Sequence, residues 1–519
     1  MNVHLVTKLL GVVALLVGLS MAFSLPWAYP KLGARTHAAE PPTEFESAGF
    51  LAMAGSMAIS FAVGGALMWH GRGSDGQLYR KEAMAVVGLS WVLATLLGAL
   101  PFLFSGCQIR GPTDTQPGVS MSIADALFES QSGFSTTGAT VITNLEQPGV
   151  PHCILFWRST THFLGGLGII VLFVAILGQG SAGKALMRAE MPGPTKEGSH
   201  TRMQHTAWLF AAVYVGLNVL LAVIYMLHGV TAFDAICHAF GTMATGGFST
   251  YDTSVGRFNS PSIEYITTFF MALAGTNFTL LYFLLIGKAA KLWVDVEWRV
   301  YIGVILLATA LVVAAGLASG DFVRGDAIRY SLFQVVAIIT TTGYGTADFD
   351  AWNDFSRGLL FMLMFVGGCA GSTGGGLKVI RHILFFKILK LEIEQAYHPS
   401  VVRPLRLGGE PLTDQNLRRN ILVYFAFIGA LFVLSWLFVI GCEPNAMWAS
   451  SDNKLIDSAS AVAATLNNIG PGLGVVGSTQ NYAEFTSYSK ILFVWLMMLG
   501  RLEIFSILVL FSPGFWRSR

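Results

Sequence analysis

Four short stretches of the chain set threonine or asparagine close ahead of glycine. They read Thr136-Thr137-Gly138-Ala139-Thr140, Ala244-Thr245-Gly246-Gly247-Phe248, Thr341-Thr342-Gly343-Tyr344-Gly345 and Asn468-Ile469-Gly470-Pro471-Gly472. Aligned on the third position, they share one glycine: Gly138, Gly246, Gly343 and Gly470. None of these residues is a general acid, a general base or an activated nucleophile, so the pattern does not offer bond-making chemistry. It offers oxygen. A dehydrated alkali cation must be ringed by backbone carbonyls, and successive carbonyls face one axis only where a residue takes positive φ, which glycine does without strain. Chains converging on that axis also leave no room for a Cβ. The first three residues of each turn are therefore read as a cation-coordinating set, with threonine and asparagine adding side-chain oxygens. Ordinary glycine-rich helix connections would explain any one turn, but not four with glycine in register.

The elements that carry these turns are legible in the apolar pattern. Of the 519 residues, 53% are hydrophobic and 12% charged, about half the charged share of a soluble protein, and the formal net charge is only +2. Apolar runs near the ~20 residues a bilayer requires recur along the chain. Ten spans are expected, near Leu9–Trp27, Gly49–Trp69, Met84–Phe104, Cys153–Leu177, Thr206–Leu227, Ile263–Leu285, Val300–Ala318, Leu359–Ile383, Asn420–Gly441 and Ile491–Phe511. The first run is too long for a signal-peptide core and has no clean cleavage site, so it is read as a helix. Lys and Arg gather in 71–83, 179–205, 288–299, 378–419 and the tail, which puts those segments and both termini on the cytoplasmic side. Four segments, Met121–Thr136, Thr231–Ala244, Arg329–Thr341 and Leu455–Asn468, are too short to cross and too apolar to be solvated, as expected of re-entrant helices.

The expected fold is an all-α polytopic membrane protein. Four span–pore-loop–span repeats (71–180, 181–290, 291–400 and 401–519) stand in pseudo-fourfold arrangement behind a two-helix extension, 1–70. All four loops enter from one face, unlike inverted transporter repeats. The five cysteines (Cys107, Cys153, Cys237, Cys369, Cys442) lie far apart without metal-ligand spacing and read as small apolar fillers, with a bridge between Cys107 and Cys442 left open.

A second constellation is the run Gly367-Gly368-Cys369-Ala370-Gly371-Ser372-Thr373-Gly374-Gly375-Gly376, which interrupts what should be a span. Glycine costs about 1 kcal/mol relative to alanine in a helix, so unwinding is expected here. Backbone unwound at membrane depth is tolerated only against protein or a water-filled cavity. Gly371, Ser372, Thr373, Gly374, Gly375 and Gly376 are read as a gate below the turns; a close-packing seam of small residues is the alternative. Leu377 follows where a phosphate-binding loop needs lysine, so nucleotide binding is rejected. Intramembrane charge points to function by default, which marks Arg501, two residues before Glu503, with a structural ion pair or loop cap as the alternative; Arg158, Asp125 and Asp457 flank the pore segments, either anchoring them or touching ions. His162 reads as a helix-interface residue. Glu146, Asp252, Asp348 and Asp350, near the outer mouth, read as ordinary solvated loop residues, with concentration of cations as the alternative.

The third turn resembles the T-V-G-Y-G filter of potassium channels. The whole set resembles the TrkH/KtrB (Trk/Ktr/HKT) superfamily of potassium transport proteins. Further matches are Trp157-Arg158-Ser159, Leu164-Gly165-Gly166-Leu167-Gly168-Ile169-Ile170, Asp295-x-Glu297-x-Arg299, the glycine run with Lys378 and Arg381, and Gly500-Arg501. The two spans ahead of the first repeat make the chain more similar to the TrkH branch. The resemblance implies potassium bound at the four turns, a gate at the glycine run, and Arg501 beside the pore metering cations. It also implies a homodimer in the bacterial inner membrane and a TrkA-like cytosolic nucleotide-binding ring docking on 184–202, 288–299 and 387–419. Potassium would be the substrate, with no covalently bound cofactor and no nucleic-acid partner. Only the third turn keeps the two glycines of the channel pattern, because Phe248 and Pro471 alter the others. A symporter coupling potassium to sodium or protons is the second reading. A membrane enzyme is rejected for want of paired catalytic groups.

Overall fold

The computed structural model describes residues 1–519 apart from 30–31, 37–43, 74–78, 110–118, 147–149, 169–199, 324, 401–405, 408–409, 412–416, 449–452, 503–504 and 518–519. Helix α1 (Val3–Met21) starts where the Asn2 side chain accepts the Leu5 N–H at 3.1 Å. It runs against α2 (Ser47–His70) through facing glycines: a Cβ on Gly11 would stand 2.8 Å from the Gly64 carbonyl oxygen. Small residues at the seam let two apolar helices approach closely, which is how such pairs associate in lipid. Helix α3 (Arg80–Phe104) packs on both.

Four short helices follow at intervals: α4 (Ile123–Phe134), α7 (Ala232–Met243), α11 (Ala327–Ile339) and α15 (Lys454–Leu466). Twelve or thirteen residues at 1.5 Å each give roughly 18–20 Å, well short of a ~30 Å hydrocarbon core. Their residues are nonetheless mostly buried. Ser122 and Asp125 form a capping box that starts α4, and Thr231 caps α7 with Asp234 in its first turn. Each short helix is flanked by a helix before and one after. Those before are α3, α6 (His200–Leu227), α10 (Val296–Ser319) and α14 (Leu417–Cys442). Those after are α5 (His152–Leu167), α8 (Pro261–Ala274), α12 (Asp354–Leu363) and α16 (Ser487–Arg501). Helix α9 (Phe278–Leu285) continues from α8, and α13 (Val379–Tyr397) lies beyond α12.

Among the described residues six helices are long and apolar enough to cross a membrane: the two N-terminal ones and the four that precede the short helices. Ten spans were expected; the four that should follow the short helices are not single long helices among the described residues. Among the described residues the helices after the short ones are shorter. Helix α5 stops at Gly168 with φ 72°, α8 and α9 meet at 110°, α12 runs into the loop 364–378, and α16 ends at Leu502. At Gly165 and Gly500 a Cβ would collide with the carbonyl oxygens of Phe134 and Leu466, which lie at the ends of α4 and α15. Glycine at those two positions lets α5 and α16 pass directly against the ends of α4 and α15. The five cysteines are free, so no bridge joins Cys107 to Cys442.

Candidate ion pathway

All four short helices end in the same hydrogen-bonded cap. One residue past the helix cap takes a left-handed conformation: Thr136 (φ 54°), Thr245 (φ 53°), Thr341 (φ 61°) and Asn468 (φ 56°). The next N–H bonds back five residues, from Thr137 to Ser132 (2.9 Å), Gly246 to Gly241 (2.8 Å), Thr342 to Ala337 (2.8 Å) and Ile469 to Ala464 (2.9 Å). This is the Schellman closure normally made with glycine. Three β-branched threonines in that conformation are strained by roughly 1–2 kcal/mol each, and such strain persists where surrounding structure enforces it.

Two residues further along, the chain turns left-handed a second time at Gly138 (φ 80°), Gly247 (φ 78°), Gly343 (φ 73°) and Gly470 (φ 98°). A Cβ on Gly138 would overlap the carbonyl oxygen of Gly246. On Gly247 it would overlap that of Thr342, on Gly343 that of Ile469, and on Gly470 it would sit 2.6 Å from that of Thr137. Each glycine thus abuts the residue that precedes the equivalent glycine in the next turn, and the contacts close from the fourth turn to the first. All four glycines line one outer cavity of about 90 Å³.

The register of the second turn differs from the sequence alignment. That alignment grouped Ala244, Thr245 and Gly246 with the other turns; the backbone instead groups Thr245, Gly246 and Gly247. Ala244 is the right-handed cap residue of α7, and Gly246 does not have positive φ. The physical cause is where α7 ends. Aligning on the first glycine of a Gly-Gly pair slips the turn by one residue.

The side-chain oxygens are partly committed. Thr137 Oγ1 accepts from Asn468 Nδ2 at 2.9 Å, and Thr341 Oγ1 accepts the Gly375 N–H at 2.9 Å. Thr136 Oγ1 and Asn468 Oδ1 are buried without a hydrogen-bond partner. No cluster of three or more His, Cys, Asp or Glu occurs among the described residues.

Below the turns, residues 367–379 form a loop closed at its neck by Gly367 N–H to Leu377 O (2.6 Å) and Val379 N–H to Gly368 O (3.2 Å). Glu297, in the first turn of α10, accepts the N–H groups of Ala370 (2.7 Å) and Ile380 (3.0 Å) on one oxygen. At the tip, Thr373 Oγ1 donates to Met243 O (3.0 Å), and a Cβ on Gly375 would meet the Asn468 side chain at 2.6 Å. Lys378 Nζ donates to Gly374 O. Arg501 donates through one nitrogen to Thr373 O and through the other to Gly165 O at 2.6 Å. Gly371, Ser372, Thr373, Gly374, Gly375, Gly376 and Arg501 all line an inner cavity of about 120 Å³. None of the turn residues 136–138, 245–247, 341–343 or 468–470 lines that cavity.

Asp125 pairs with Lys490 (2.6 Å), and Arg158 pairs with Glu129. His162 stacks obliquely on Phe248 at 4.1 Å with both ring nitrogens unpartnered. Toward the outer side Asp350 accepts the Gly474 N–H at 3.0 Å, and burial pushes its carboxyl up to about 6. Asp457 lies beside that same segment, while Glu146 pairs with Arg257 at 3.1 Å. Asp252 and Arg158 line the outer cavity; Glu146, Asp348 and Asp350 do not. Sequence reasoning missed Glu129 and gave Glu297 no role. A wholly buried carboxylate in an apolar helix was the available signal for Glu129. Ile169, Ile170, Glu503, most of 184–202 and, within 387–419, residues 401–405, 408–409 and 412–416 lie outside the described residues.

The sequence model of TrkH, described as a cation transport protein, matches residues 51–518. The chain belongs to the TrkH family. It is 40% identical over 468 residues to the Trk system potassium uptake protein TrkH of Salmonella typhimurium, covering 89% of this chain and 91% of the relative. The protein of the same description from Escherichia coli K12 is 40% identical over 469 residues, with the same coverage. The crystal structure of the potassium transporter TrkH from Vibrio parahaemolyticus superposes with a TM-score of 0.80 at 33% identity, covering 98% of this chain and 99% of that one. The chain is accordingly a multi-pass membrane transport protein of the TrkH branch and not an enzyme.

Proposed function

We propose that this chain is the potassium-conducting subunit of an uptake system, a gated pore that performs no covalent chemistry. One observation carries the reading: the closed cycle of contacts in which Gly138, Gly247, Gly343 and Gly470 each press on a carbonyl of the next turn. A passage so enclosed is lined by backbone oxygens, the ligands that replace a cation's water. The four-membered cycle is the basis for four repeats in pseudo-fourfold arrangement, bounded as 71–180, 181–290, 291–400 and 401–519 behind the extension 1–70. The selectivity filter comprises Thr136–Gly138, Thr245–Gly247, Thr341–Gly343 and Asn468–Gly470.

The loop Gly371–Gly376 with Arg501 is the gate. It lies between the inner cavity and the turns, and a fixed cation at that point opposes the passage of others. The names of the relatives, the family resemblance and the basic connections support potassium as substrate, placement in the bacterial inner membrane with both termini cytoplasmic, pairing as a homodimer, and regulation by a TrkA-like cytosolic nucleotide-binding ring. The test is flux in liposomes holding the purified chain, with potassium or sodium supplied singly. Potassium flux that exceeds sodium flux, and loses that preference on Gly343→Ala, is the expected result. Equal fluxes unaffected by the substitution refute the reading.

A further inference from the structure

Glu129 is wholly buried in α4, and Arg158, 2% exposed, reaches it from α5 with Nε 2.5 Å from Oε1. The pair is not isolated. The Glu129 carboxylate also accepts from Thr140 Oγ1 (3.0 and 3.1 Å to its two oxygens) and from the Val141 N–H (3.0 Å). Those residues lie just past Gly138 in the first turn. On the other side Arg158 donates to Ser249 O at 2.9 Å, and its guanidinium lies over the Phe248 ring at 3.7 Å. Phe248 and Ser249 directly follow Gly247 in the second turn. A continuous chain of charge-assisted contacts therefore runs from the first turn through Glu129 and Arg158 to the second.

The other seams are joined differently. Tyr344 donates its hydroxyl to Phe248 O (3.2 Å) between the third and second turns. Between fourth and first, the Tyr482 N–H donates to Thr140 O (2.8 Å) and its hydroxyl to Gly470 O (2.8 Å). Between third and fourth, Gly474 N–H meets Asp350. Ion pairs elsewhere join the helices near their first turns, Asp125 of α4 to Lys490 of α16 and Glu264 of α8 to Arg329 of α11, whereas Glu129–Arg158 reaches the turn residues themselves, against Phe248, which follows Gly247 as Tyr344 follows Gly343. Phe248 needs support from behind because its side chain is turned into the protein, 1% exposed. Arg158 also lines the outer cavity, so its charge stands near the cation route unless Glu129 offsets it.

We propose that the Glu129–Arg158 pair is a specificity-determining positioning device: it fixes the spacing of the first and second turns and hides the arginine charge from the permeating ion. This rests on the reading of the turns as the filter. Planar Arg–carboxylate pairing defines geometry as well as energy, so its loss loosens the turn rather than only weakening the protein.

The experiment uses the full chain in liposomes, with potassium and sodium fluxes measured separately and the melting temperature of the same preparations recorded. Glu129→Gln is expected to lower potassium flux about tenfold, because an unpaired arginine then faces the route. The double variant Glu129→Gln/Arg158→Gln is expected to recover flux but with a potassium-to-sodium ratio reduced about tenfold, the scale of one charge-assisted hydrogen bond. Phe248→Leu, which keeps both charges paired, is expected to relax the ratio in the same direction, and it stands as the test if the charge variants fail to fold. A purely structural role would lower both fluxes together and leave the ratio fixed. If Gly343→Ala changes the ratio while the double variant and Phe248→Leu, folded as the parent, do not, the proposal fails and the filter reading stands. If Gly343→Ala also leaves the ratio unchanged, the filter reading itself fails.

Discussion

The register of the second turn can be tested by a pair of alanine substitutions. Gly246 and Gly247 are neighbours, yet the structure gives them different reasons to be glycine. A Cβ on Gly246 would stand 2.6 Å from ring carbons of His162, and the backbone there is not left-handed. Its obstacle is one side chain. A Cβ on Gly247 would overlap the Thr342 carbonyl, and φ is 78°, a conformation that costs alanine roughly 1–2 kcal/mol before any collision is counted. No side chain can be trimmed to relieve it. Gly246→Ala should therefore depress potassium flux about tenfold, and His162→Ala added to it should restore most of that, a coupling of about 1 kcal/mol or more. Gly247→Ala should depress flux at least as far, and His162→Ala should not help. The assay is potassium and sodium flux in liposomes for the parent, the three single variants and the two doubles, with each preparation checked for thermal stability. Wild-type flux and selectivity in Gly247→Ala, or equal rescue of both glycine variants, would refute the assigned register.

Arg501→Gln removes the charge from the donors to Thr373 O and Gly165 O, contacts worth about 1.5–3 kcal/mol each when charged, so basal flux should rise roughly tenfold or more. Unchanged flux in a folded variant would remove Arg501 from the gate. Glu297→Ala leaves the buried N–H groups of Ala370 and Ile380 without their acceptor, roughly 1–3 kcal/mol each. A lower melting temperature with increased leak is expected, and a stable, tight variant would show that the loop neck does not depend on it. Asp350 holds its proton up to about pH 6, above the 3.8 of an unperturbed carboxyl, chiefly through burial. Its contribution to stability is full below 3.8 and is lost as pH rises through about 6, so Asp350→Asn should flatten the fall in melting temperature over that window. An identical pH profile in the variant would contradict this.

Much of this was readable in advance. Met121–Thr136 and its three counterparts announced themselves as short buried helices by length and apolarity. Arg501 stood out because charge in an apolar run is rare. The break after α12 was legible in the glycine run 367–376, but the close passage of α5 and α16 against the short helices was not. Gly165 and Gly500 look like any helix-packing glycines until the carbonyls of Phe134 and Leu466 are seen against them. Glu129 was overlooked because its partners lie 11 to 29 residues away, at no spacing that sequence alone rewards.

The order of residues by itself determined a membrane chain with four short apolar helices, each followed by a turn where glycine is required, because helix length and steric freedom are local properties. The tertiary structure alone decided which of Gly246 and Gly247 turns the chain, how 367–379 folds back on itself, and which turns share a carboxylate. Those depend on a helix-capping hydrogen bond and on contacts between distant segments, and no single segment carries either.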